Sequence, residues 1–484
     1  MNRTPSHLLG SLVCLLFCQT GSAQSLVQNG DFSKWEGNVP SNWTIETGAR
    51  SGNGAAKSRI AKGSDGSLEL SGNSTTNNWL FVSQTFEVKP GEMYSAHFEA
   101  VTKNVRREDG QRDNCYVGVL LKDKQGRVVR FEVSNVSAKS YTGYQRLVTI
   151  PRTGASAVVA VFLSKSGTLG VRKAEFEKVG PEDSFAILVS EMDRNYSYFD
   201  HKKIDWKRLT KKYESRANAV ASEPEKFANV IREMLSELRD THVWLDLSGK
   251  RIGTHSKKWN ANYDFGVVDK TLGSVKRFGN LGLIAKTKDG FGYIRVNSLY
   301  NIKLELLNDM VEAIEKLFDS PGIIVDIRRN SGGSEFNAQL IASLFVSERV
   351  VYAMQSRRTG PRHTDLEVTS KRVIAPPKIK NYRKPIVCMF GPGAVSSGEG
   401  MAMMFRAIKS CTTVGQPTRG SSGNPLPVTL PNKVVVWYSR WVSMMPDGTV
   451  IEDRGVKPEI IVKHVQGSDP TFTKAVEILK EKTK

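Results

Sequence analysis

Two glycine-rich turns and one histidine carry the residue types that hydrolytic chemistry needs. The first turn reads Gly391-Pro392-Gly393-Ala394-Val395-Ser396-Ser397-Gly398-Glu399-Gly400 and follows the apolar run Pro385–Phe390. A strand passing into a helix through such a turn sets a serine oxygen on a sharp corner. The helix N-terminus adds positive potential where an oxyanion would form. Ser396 with Glu399 three residues on also has the spacing of an ordinary capping box, in which the serine only caps the helix. The second turn, Asp326-Ile327-Arg328-Arg329-Asn330-Ser331-Gly332-Gly333, closes another apolar run. Two glycines there let backbone N–H groups approach a carbonyl closely, and two such donors beside a nucleophile make an oxyanion hole. The plain alternative is a loop pair that simply needs positive φ.

A nucleophilic serine needs a base, and the chain has seven histidines from which to supply one. His242 stands out. It ends the segment Glu237-Leu238-Arg239-Asp240-Thr241 and precedes the apolar Val243-Trp244-Leu245. Its imidazole titrates near neutrality, which suits a general base. A histidine satisfied by carbonyls at a helix C-terminus is the competing reading. His7 falls in the leading segment and His97 among strand-like runs. His201, His255, His363 and His464 lie in polar surroundings without a patterned partner.

The elements that must position these residues come in three blocks. Residues 25–180 alternate apolar and polar side chains in short runs, such as Phe81–Phe86, Tyr116–Leu121 and Ala157–Leu163, parted by Gly, Asn, Ser and Asp clusters. That is the pattern of an all-β sandwich. Residues 181–245 change to a helical period. Phe185, Leu188, Met192 and Tyr196 share one face, and Phe227, Val230, Ile231, Met234, Leu235 and Leu238 another, with Pro224 near a helix start. From 246 to 484 strands alternate with helices: a strand Gly292–Val296, a helix Leu304–Phe318, a strand Gly322–Ile327 and a helix Glu335–Phe345. A strand Pro385–Phe390, a helix Ser397–Lys409 and a strand Cys411–Val414 follow. Alternation of this kind predicts a layered α/β core.

Taken together, these segments resemble the C-terminal processing (tail-specific) peptidases, and among them the tricorn-like branch. The resemblance covers roughly residues 185–465. It lies in Leu238-Arg239-Asp240-Thr241-His242, in Tyr293-Ile294-Arg295-Val296, in the turn Asp326–Gly333, and in Val395-Ser396-Ser397-Gly398-Glu399, whose spacing selects Ser396 over Ser397. It implies a crotonase/ClpP-like core and a serine peptidase mechanism without metal or cofactor. Processing peptidases pair their serine with a lysine in a Gly-Lys-Gly setting about 25 residues later. Here that stretch is Thr418-Arg419-Gly420-Ser421-Ser422-Gly423, and Ser421 stands in the lysine's place. The tricorn-like branch uses histidine with a distant glutamate instead. Glu452, within Pro446-Asp447-Gly448-Thr449-Val450-Ile451-Glu452-Asp453-Arg454-Gly455-Val456-Lys457-Pro458, falls at that glutamate. The resemblance thus assigns Ser396 as nucleophile and His242 as base, with Thr241 and Glu452 orienting the imidazole or binding the developing charge through hydrogen bonds. Gly332 or Gly333, with Ser397, would supply the oxyanion amides. The stretch between His242 and Phe291 is too short for the PDZ domain that many relatives insert.

The N-terminal block opens with Asn29-Gly30-Asp31-Phe32 and Val39-Pro40-Ser41-Asn42-Trp43, which resemble the start of carbohydrate-binding jelly-roll modules. Trp35, Trp43 and Trp79 are candidate sugar-stacking residues, or else core aromatics. Residues 1–23 read as a secretory signal: Arg3, the apolar run Leu8–Phe17, and the small residues Gly21-Ser22-Ala23 ahead of Gln24. The expectation is an exported protein, periplasmic or extracellular, with no membrane span. Cys14 and Cys18 leave with the signal, and Cys115, Cys388 and Cys411 give no disulfide framework or zinc spacing. A Cys388–Cys411 pair is conceivable, but two buried thiols fit better. Lys and Arg number 69 against 49 Asp and Glu, a net charge of +20. Those charges are spread without a basic block or an aromatic-studded stripe, which argues against nucleic acid as partner. The expected partner is a peptide or protein substrate, with a polysaccharide left open. A secreted glycan- or ligand-binding protein with a catalytically inactive peptidase-like domain is the rival reading. Hydrolysis of a non-peptide ester or amide would use the same residues.

Overall fold

The computed structural model describes residues 24–49, 59–73, 78–105, 115–164, 166–360, 362–377 and 380–484. The expected signal, with Cys14 and Cys18, lies outside them. The chain divides after Val179 into two compact units.

Period-two alternation in the first unit yields two five-stranded antiparallel sheets. One runs in the order Thr142–Thr149, Met93–Lys103, Ser166–Lys178, Leu68–Asn73, Arg59–Lys62. The other runs Thr44–Ala49, Asn78–Glu87, Ser156–Ser164, Cys115–Lys122, Val128–Asn135. Every second residue points inward, so Val117, Val119 and Leu121 share one apolar core with Val159, Val161, Phe98 and Leu169. Trp43 belongs to that core. It is buried at 5% exposure, packs on Phe32, and donates its indole N–H to the Asn29 carbonyl. It is therefore corrected from candidate sugar platform to core aromatic. Trp35 and Trp79 are half-buried, and the Trp79 ring lies over Gly48.

In the second unit the parallel strands are mostly apolar because both their faces are covered. A seven-stranded sheet runs Lys276–Phe278, Gly282–Lys286, Gly292–Val296, Ile323–Asp326, Ile386–Phe390, Cys411–Gly415, Ile460–Ile461. Its first two junctions are antiparallel and the rest parallel. One face packs on helices Leu304–Glu315, Glu335–Ser343 and Ser397–Ala407 through Leu307, Met310, Ile341 and Phe405. The other face packs on helix Pro470–Lys482 through Phe472, Ala475 and Leu479.

The helices Ser184–Asn195, Trp206–Ala219 and Pro224–Ser236 fall within the same compact unit as the α/β sheet. The chain leaves them through Trp244–Leu247, which pairs with Val435–Tyr438 almost two hundred positions on. That non-local pairing draws His242 to the loop that follows Cys411–Gly415. The described cysteines are buried thiols with no disulfide among the described residues, and Cys388 faces Thr413 in the ladder rather than Cys411.

Candidate active site

Ser396 sits between the buried strand Ile386–Phe390 and the helix Ser397–Ala407 with φ 59° and ψ −124°. A non-glycine residue holds such a conformation only when its surroundings impose it. Here they do. The Ser396 amide donates to the Ser421 carbonyl at 3.1 Å, and its own carbonyl accepts from Glu399 and Gly400. The neighbouring Val395 amide donates to the Asn330 carbonyl at 3.1 Å. The Ser396 side chain caps no helix amide, so the capping reading fails. The Glu399 carboxylate reaches away instead. It accepts the Thr418 hydroxyl and the Gly420 amide, each at 2.7 Å, and the Ser421 amide at 2.9 Å. Burial pushes the Glu399 carboxyl up to about 7 against the pull of those donors.

The glycine turn is set by a fully buried arginine. Arg328 donates to Asp326 Oδ1 at 2.9 Å and Oδ2 at 2.7 Å, and to Asp469 at 2.7 and 2.9 Å. Tyr293 adds its hydroxyl to Asp326 at 2.8 Å. So fixed, the turn lays Gly332 against the serine. A Cβ on Gly332 would stand 2.7 Å from the Val395 carbonyl oxygen and 2.9 Å from Ser396 Cβ, and φ is +85°. Only glycine fits. The Gly332 amide is already spent on Asn330 Oδ1 at 2.9 Å, so it is corrected out of the oxyanion set. The amides of Gly333 and Ser397 have no acceptor among the described residues. The two are tied together by the Ser397 hydroxyl, which donates to the Gly333 carbonyl at 2.6 Å.

His242 is buried, its amide donating to Asp240 Oδ1 at 2.7 Å and its Nδ1 lying 2.6 Å from Ser421 Oγ. Ser421 Oγ also bonds Thr241 Oγ1. Burial holds the imidazole below its ordinary range. Asp240 opposes that, and Arg251 and Arg419 reinforce it. Thr241 and Glu452 do not touch the ring as expected. Thr241 acts one step away, through Ser421. The Glu452 carboxylate takes the Lys202 ammonium at 2.9 Å and the Ser422 amide at 3.3 Å. Burial and the nearby Asp240 charge push Glu452 up, while Lys202 opposes them. Burial works against the Lys202 charge, but Glu452 and Asp240 outweigh it. Lys202 also donates to the Arg239 carbonyl at 3.3 Å, which ties Glu452 to the segment bearing His242.

Sequence reading missed Lys202 and the roles of Glu399 and Ser421. Glu399 carried a signal through its spacing from Ser396, and Ser421 as the residue in the lysine's place; Lys202 carried none. His201, which showed no patterned partner, pairs with Asp453 at 3.3 Å. A cavity of about 490 Å³ opens beside the Thr241–Ser421 pair and is also lined by Arg239, His255, Lys257 and Glu452.

A layered α/β core that presents a serine on a strained strand–helix corner, with free amides and a buried imidazole close by, places this unit in the class of serine-hydrolase-like folds. Residues 290–462 match the model of Peptidase family S41, and residues 181–236 match that of the Tricorn protease C1 domain. Over these two stretches the chain is thus similar to an S41-family peptidase region preceded by a tricorn C1 domain. It is 24% identical over 174 residues to the carboxy-terminal processing protease CtpA of Bacillus subtilis, a stretch covering 36% of this chain and 35% of that protein. A candidate peptidase from Parabacteroides merdae, solved by crystallography, shares the fold with a TM-score of 0.54 at 23% identity, over 62% of this chain and 97% of that one.

Proposed function

We propose that this chain is an exported serine endopeptidase of the tricorn-like kind, acting through an acyl-enzyme on Ser396. His242 Nε2 takes the hydroxyl proton as Ser396 Oγ attacks the peptide carbonyl. The amides of Gly333 and Ser397 donate to the oxyanion of the tetrahedral intermediate. The imidazolium then protonates the leaving amine, and water repeats the sequence in reverse to free the acid product and restore the serine. Burial favours this chemistry, because an imidazole held below its ordinary range stays neutral and able to accept a proton at pH 7. The observation that carries the reading is the φ 59° corner at Ser396, built against two amides with no other acceptor. Thr241 and Glu452 serve the base indirectly, through Ser421 and Lys202. If the N-terminal sheets form a sugar-binding jelly roll, the stacking faces would belong to Trp35 and Trp79, since Trp43 is enclosed.

Peptide-library cleavage by the mature chain, run beside Ser396→Ala and His242→Ala, tests the proposal. Hydrolysis should vanish with Ser396→Ala, as should labelling of the chain by a fluorophosphonate. Cleavage that survives Ser396→Ala removes the mechanism.

A further inference from the structure

The carboxylates around His242 are all committed elsewhere. Asp240 Oδ1 holds the His242 backbone amide and Oδ2 the Tyr196 hydroxyl at 3.0 Å. Glu452 holds Lys202 and the Ser422 amide, and Glu399 holds Thr418 and the amides of Gly420 and Ser421. The atom that meets the ring is a hydroxyl, Ser421 Oγ, 2.6 Å from Nδ1. We propose that Ser421 is the positioning residue of this site, fixing His242 in the tautomer that leaves Nε2 bare toward Ser396. The inference rests on the peptidase reading above and deepens it.

A neutral imidazole carries one N–H, so whichever nitrogen bears it donates and the other accepts. If Nδ1 donates to Ser421 Oγ, the Ser421 hydroxyl proton is free to go to Thr241 Oγ1, and Nε2 is left as base. Thr241 gives Ser421 Oγ a reason to accept from the ring. Ser421 is itself rigid: it is 2% exposed, its amide is clamped by Glu399, and its carbonyl receives the Ser396 amide at 3.1 Å. One residue therefore grips the backbone of the nucleophile and the ring of the base, and so sets the separation between them. Where the resembling peptidases place a lysine to act as base, this chain keeps a hydroxyl that aims a base supplied from elsewhere.

The test uses the full mature chain. In wild type, ¹⁵N chemical shifts of His242, assigned by comparison with His242→Gln, should report the Nδ1–H tautomer at neutral pH. An Nε2–H tautomer overturns the proposal whatever any variant does. In kinetics, Ser421→Ala should lower kcat by about 100-fold, the low end of what a positioned base contributes, with KM changed less than about threefold. Ser421→Thr, which keeps the hydroxyl, should recover most of the loss, and the thermal midpoint of each variant checks that folding is intact. Retention of kcat within about twofold by Ser421→Ala, or a loss confined to KM, overturns it. Failure of the underlying reading looks different: Ser396→Ala would then remain active while the tautomer result stood on its own.

Discussion

A serine forced to φ 59° and an imidazole shielded from water are costly alone and useful together. Replacing His242 by Ala should lower kcat/KM by about 100- to 10,000-fold, the range for a lost general base. The pH profile should carry the mark of burial. Because the folded chain holds His242 below its ordinary 6.5, the acid limb of kcat/KM should fall below that value. The same shift links to stability. Between the depressed value and 6.5 the unfolded chain binds the proton that the folded chain refuses. The His242 contribution to stability should therefore fall as pH drops through that window. It is read as the difference between the chain and His242→Gln in urea midpoints at pH 7.5 and 5.5, because the raised Glu399 and Glu452 carboxyls act there in the opposite sense. Ser396 and His242 were legible because each breaks a local pattern: a serine in a glycine turn, and a histidine between a helix and an apolar run. Lys202 was not, since nothing in a short polar loop says that its ammonium will be buried against Glu452.

The buried strands end in turns that cannot hold themselves, and the turn at Asp326–Gly333 is held by charge. Arg328 lies between Asp326 and Asp469 with no exposure, so Arg328→Met would leave two carboxylates buried without their cation. A destabilisation of about 3–5 kcal/mol is expected, measured by urea unfolding of the second unit. Gly332→Ala should act differently, sparing most of the stability but abolishing fluorophosphonate labelling. Its methyl would enter the 2.7 Å gap to the Val395 carbonyl and displace the nucleophile turn. The strand Gly292–Val296 was readable to the residue, and the strands at 323 and 386 to within one, because they are short, mostly apolar runs bounded by Gly or Pro. The helix Trp206–Ala219 escaped notice because only a thin stripe, including Trp206, Leu209, Tyr213 and Ala217, interrupts its charged surface. The antiparallel pair Val350–Arg358 and Leu366–Ile374 escaped for a related reason, since the second strand is mostly exposed and carries little apolar signal.

At the scale of the whole chain the all-β and mixed α/β units each close an apolar core of their own, and the chain divides between them after Val179. Calorimetry should therefore resolve two unfolding transitions, with the one belonging to the second unit shifted by Arg328→Met and the other unmoved. Composition and alternation made this division readable. They could not show that the helices of 184–236 join the α/β unit, because that depends on the pairing of Trp244–Leu247 with Val435–Tyr438, which no local pattern encodes. The same long reach has a consequence for synthesis. The segment bearing His242 is anchored by a strand near position 435, the glycine turn is braced by Asp469, and both partners are made well after the residues they hold. A growing chain short of those residues has nothing to anchor its histidine or its glycine turn. Until those partners emerge, neither the imidazole nor the glycine turn has a fixed place in the fold.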